Sequence, residues 1–76
     1  MTVKDLLDNF EIQGALRVQQ WDMETHDMRV FYESDENENA HVNNGYEWLS
    51  MEIRSIWATT TYNHNNIEIP QIVIEL

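Results

Sequence analysis

Asp35, Asn37 and Asn39 occupy alternate positions in a polar stretch, the spacing at which the side-chain oxygens of a calcium loop converge on a hard cation. Such a loop also needs glycine at its sixth position for a sharp turn and a bidentate glutamate at its twelfth. Here those positions hold Ala40 and Tyr46, with Glu47 one place late. The stretch therefore reads as an acidic loop rather than a metal site. His26, His41 and His64 are far apart in turn-forming surroundings and lack the paired spacing of zinc ligands. Ser, His and Asp all occur, but no serine has the strand-turn-helix setting that activates a nucleophile, and no glycine-rich phosphate loop is present. The expectation is a protein without catalysis, metal or cofactor.

What remains distinctive is charge. Fourteen Asp and Glu stand against four Lys and Arg, a net charge of −10. Asp22, Glu24 and Asp27 share one turn, and Glu33, Asp35, Glu36 and Glu38 follow, so half of all the acids fall within this short stretch. Lys4, Arg17, Arg29 and Arg54 are too few to form the basic stripe that nucleic acid requires, and the surrounding carboxylates would repel phosphates. Direct nucleic-acid binding is thus not expected. A fixed acidic surface would instead be drawn at long range to a basic protein. Trp21 and Phe31, expected to pair on the exposed face of neighbouring strands, supply aromatic anchors for such a contact. The expected partner-binding set is these seven acids with Trp21 and Phe31, while Trp57 is expected in the core.

The elements that must position this set follow from periodicity. Thr2 and Asp5 form a variant capping box, and Val3, Leu6, Leu7 and Phe10 recur at helical spacing, which predicts a short helix over Val3 to Phe10. Gln13-Gly14 turns the chain into a strand over Ala15 to Trp21, with Leu16 and Val18 on one face and Arg17, Gln19 and Trp21 on the other. Asp22 to Asp27 is a turn. Met28 to Glu33 continues as a second strand, with Met28, Val30 and Tyr32 opposite Arg29 and Phe31.

Residues 34–44 read as a polar loop. Asn44 and Glu47 then offer another cap before a helical turn of Tyr46, Trp48, Leu49 and Met51. The run Glu52 to Thr61 is β-branched, Tyr62 to Asn66 is a turn, and Gln71 to Leu76 makes the last regular strand, its Ile72, Ile74 and Leu76 facing the helix. Pro70 belongs at a bulge, a strand start or the open side of an edge. The fold class expected is α+β: one domain over residues 1–76, a single antiparallel four-stranded sheet of two hairpins with the N-terminal helix on one face, in the order α-β-β-α(short)-β-β.

Length and composition agree with a thin-cored domain. Seventy-six residues, 42% hydrophobic, without cysteine, can fold without disulfide help. A chain of this size buries only about 60% of its unfolded surface. No basic apolar leader and no bilayer-spanning run are visible, which makes the cytoplasm the expected location, the host cytoplasm if the protein is phage-encoded.

Met1-Thr2-Val3-Lys4-Asp5-Leu6-Leu7, Leu16-Arg17-Val18 before Trp21-Asp22, Val30-Phe31-Tyr32 and Ile72-Val73-Ile74 together resemble small acidic proteins of Firmicutes phages and mobile elements. That resemblance implies an anti-CRISPR or other anti-defence inhibitor, which presents carboxylates where a nuclease expects phosphates. The function expected is a non-catalytic inhibitor occluding the basic nucleic-acid-binding site of a defence nuclease such as a CRISPR effector. The alternative is a self-associating structural or regulatory adaptor, dimerising through a sheet face or edge, in which charge serves solubility alone.

Overall fold

In a computed structural model, which describes residues 1–34 and 45–76, Thr2 opens helix α1 (Val3–Asn9). The Thr2 hydroxyl accepts from the Asp5 N–H while the Asp5 carboxylate accepts from the Thr2 N–H, so the expected capping box is formed in both directions. Phe10, in extended conformation, ends the helix one residue earlier than its spacing suggests. Gly14 then redirects the chain at φ +88°. A Cβ there would also stand 2.5 Å from the Pro70 carbonyl oxygen, so only glycine fits.

Four strands follow: β1 (Ala15–Asp22), β2 (Asp27–Glu33), β3 (Ser55–Tyr62) and β4 (Glu68–Glu75). A 3-10 turn, Glu47–Ser50, stands where a short α-helix was expected, and its cap is Tyr46 rather than Asn44. Both hairpins form, β1 with β2 and β3 with β4, each antiparallel.

The sheet is nevertheless mixed. Its spatial order is β2-β1-β4-β3, and β1 runs parallel to β4 from Ala15↔Gln71 to Gln19↔Glu75, which corrects the purely antiparallel expectation. Turns determine only the pairing inside each hairpin; which strands meet between hairpins is decided by burial on both faces. β1 and β4 bury Leu16, Val18 and Ile74 on one face and Ala15 and Val73 on the other, so they take the centre. Pro70 is accommodated in β4 because it precedes the first β1 pair.

Among the described residues, helix α1 and the 3-10 turn cover one face of this sheet and no element covers the other. Val3, Leu6, Trp48 and Leu49 pack there against Leu16, Val18, Ile74 and Leu76, with Phe31, Tyr32 and Ile72 at the margin. Trp48 stacks on Tyr46 at 5.2 Å between centroids and tilts against Tyr32 at 5.7 Å. The base of the helix is tied down by backbone bonds from Val3 to Met51 and from Ile53 to Met1. No residue of β3 belongs to this core.

Candidate interaction surfaces

Asp22, Glu24 and Asp27 meet at the β1–β2 turn. The Asp22 carboxylate accepts from the Glu24 N–H at 2.9 Å and from the Thr25 N–H at 3.4 Å, closing the turn and holding its pKa below the ordinary carboxylate value. His26 completes it in left-handed conformation at φ 53°. Glu33 is not part of this group. It ends β2, about 20 Å away by strand rise, and pairs with Arg17 at 3.4 Å. Asp35, Glu36 and Glu38 lie outside the described residues, as do Asn37 and Asn39 of the calcium-like spacing. Among the described residues, no group of three or more His, Asp or Glu could hold a metal ion.

The two aromatic anchors are parted by a bulge. Val18 faces Tyr32 but Gln19 faces Val30, so β2 carries one residue more than β1 across this step and the extra residue is Phe31. The alternation of β2 therefore reverses. Met28 and Val30 share the uncovered face with Trp21 and Gln19, whereas Arg29, Phe31 and Tyr32 lie on the helix side, with the Arg29 guanidinium 5.9 Å from the centre of the Phe31 ring. Trp21 is exposed as expected, but opposite Met28 and not Phe31, which packs against the core.

Acids occur on nearly every element: Asp5 and Asp8 on α1, the turn trio, Glu33, Glu47, Glu52, Glu68 and Glu75. β3 is the exception. Between Arg54 and Glu68 no Asp, Glu, Lys or Arg occurs, and this neutral stretch contains β3, one of the two edge strands of the sheet. Its side chains are open on both faces: Ile56 is 45% exposed and Tyr62 62% on the helix side, and Trp57 is 40% exposed on the other. The expected burial of Trp57 is therefore corrected. Trp57 lies opposite Val73 on the face away from the helix, while Trp48 is the tryptophan in the core.

The backbone of β3 is equally open. The Asn63 N–H donates to the Ile67 carbonyl at 3.0 Å, and the register below it is unbroken from Tyr62↔Glu68 to Ser55↔Glu75. Antiparallel alternation then directs the odd-numbered backbone groups at β4 and those of Ile56, Ala58, Thr60 and Tyr62 away from the sheet. Sequence reasoning placed Trp21 on an exposed face and the acids at the turn, where they lie, but did not single out this edge. Its signal was present as the longest stretch without a formal charge.

Among the described residues no helix is long and apolar enough to cross a membrane. No family model matches the chain, and no curated protein or solved structure matches it either.

Proposed function

We propose that this protein is a non-catalytic interaction module that adds a further protein strand at the β3 edge, its carboxylates keeping the rest of its surface soluble. The observation that carries this reading is the neutral edge itself. In a chain of net charge −10, one strand has unpaired backbone groups, exposed Ile56, Trp57 and Tyr62, and no charge to oppose pairing. The spread of acids over the other elements fits a solubilising role.

A second reading is favoured by the β1–β2 turn, which places three acidic residues, Asp22, Glu24 and Asp27, at one end of the sheet. In that reading the protein is an acidic inhibitor, of the anti-CRISPR kind, occluding the basic nucleic-acid-binding surface of a nuclease in the host cytoplasm. The two readings differ in what each variant loses. Captured protein should disappear with Ala58→Glu on the edge and persist with Asp22→Asn, Glu24→Gln and Asp27→Asn combined. The reverse pattern, with capture weakened by salt, would replace the edge reading by the acidic one.

A further inference from the structure

We infer that the occupant of the β3 edge is a second copy of this chain, paired antiparallel about a two-fold axis at Thr59, so that two four-stranded sheets become one continuous sheet. The inference rests on the edge reading above and adds the partner and the register.

Charge selects the partner. A strand from a basic protein would find its strongest attraction at the carboxylates elsewhere on the molecule, whereas another β3 is as neutral as the edge that it meets. Two copies also repel each other over most of their surfaces, and the neutral strands are where they can approach with the smallest penalty.

Geometry selects the register. A two-fold axis normal to the sheet keeps the helices of both copies on the same side, so opposed residues must share a face, and the outward backbone groups of Ile56, Ala58, Thr60 and Tyr62 must meet their counterparts. Centring on Thr59 satisfies both conditions. Ala58 then lies opposite Thr60 of the second copy, Trp57 opposite Thr61, and Ile56 opposite Tyr62, each pair occurring twice. The most exposed apolar side chains of the strand on the helix side thereby cover one another. A centre at Ala58 would instead set Arg54 against Tyr62.

Closure follows from the other edge. β2 carries Asp27, Arg29 and Glu33 and is bent by its bulge, so a dimer joined through β3 presents no second unprotected edge on which to grow.

The chain has no cysteine, which makes cross-linking a direct test. At the axis, Thr59 of each copy occupies a pair without backbone bonds, where the Cα atoms come within about 4.5 Å and a disulfide can form. Thr59→Cys in the full chain should oxidise to a covalent dimer at least tenfold faster than Thr61→Cys, whose copies lie roughly 13 Å apart along the strand. Fastest cross-linking at Ala58→Cys or Thr60→Cys, or equal rates at 59 and 61, would overturn the inference. Sedimentation of the unmodified protein supplies a measurement that no substitution can compromise. The dimer fraction should rise as salt increases from 20 to 500 mM, because screening weakens like-charge repulsion, and Ala58→Glu should abolish it. A monomer at every salt concentration would overturn the inference. If Ala58→Glu still removed captured protein from such a monomer, the edge reading would stand with a different partner; if it did not, both would fall.

Discussion

At one edge of the sheet, β2 carries Asp27, Arg29 and Glu33 and takes up a bulge at Phe31; at the other, β3 runs flat from Ser55 to Tyr62 with no charge, proline or bulge within its register. Charge and distortion are the usual protections against strand addition, and one edge has both while the other has neither. The protein therefore manages its edges unequally. An edge left open in so highly charged a chain is the part of the surface where charge would interfere, and this is the physical basis for assigning contact to β3.

The same asymmetry extends into the core, and the Ile56↔Ile74 pair tests it within one ladder. Ile74 is fully buried, so Ile74→Ala should lose about 3 kcal/mol. Ile56, nearly half exposed on the edge, should lose no more than about 1 kcal/mol in the same substitution when measured at concentrations where the protein is monomeric. Equal losses in denaturant titrations would mean that β3 is part of the core after all. Next in size is Gly14→Ala, expected to cost about 2–3 kcal/mol because a positive φ and the Pro70 carbonyl both reject a Cβ. This contact lies at the β1–β4 seam joining the protected half of the sheet to the open half, and a neutral result would show that the seam can relax.

The two turns offer a finer comparison. His26 and Asn66 both adopt left-handed backbone, which asparagine tolerates and histidine does less readily. His26→Gly should raise stability by about 0.5–1 kcal/mol. Asn66→Gly should change it by a few tenths at most, to be read from thermal midpoints. The smallest effect concerns pH. Backbone N–H donors lower the pKa of Asp5 and of Asp22, so each contributes stability above the ordinary carboxylate value that is lost as pH falls through its own lowered value. The stability difference between the unmodified protein and an Asp5→Asn, Asp22→Asn variant should therefore shrink below about pH 4. A difference independent of pH would remove these bonds from the account.

Local features were legible in the residues. Thr2 and Asp5 announce the helix start, the polar run from Asp22 to Asp27 announces the first hairpin, and Ile74 and Leu76 lie on the helix side as their alternation requires. Three features were not legible, for separate physical reasons. The parallel β1–β4 contact is non-local and follows from burial on both faces, which the buried Ala15 and Val73 reflect but a one-face pattern overlooks. The Phe31 bulge shifts register by one residue, and alternation cannot indicate where such a slip occurs. The β-branched run of β3 has the same composition that a buried central strand would have, so the exposure of Trp57 had to be seen in place. Of the expected binding set, Trp21 and the turn acids Asp22, Glu24 and Asp27 are neighbours, while Glu33 and Phe31 are elsewhere.

Amide hydrogen exchange, followed residue by residue as protein concentration is raised, tests the central claim most directly. The outward amides of Ala58 and Thr60 should slow with concentration while the β2 edge keeps its rates, because pairing protects one edge only. Exchange at Ala58 and Thr60 that stays fast at every concentration would contradict the pairing of β3 with a second copy, and slowing that appears at β2 instead would move the contact to the other edge.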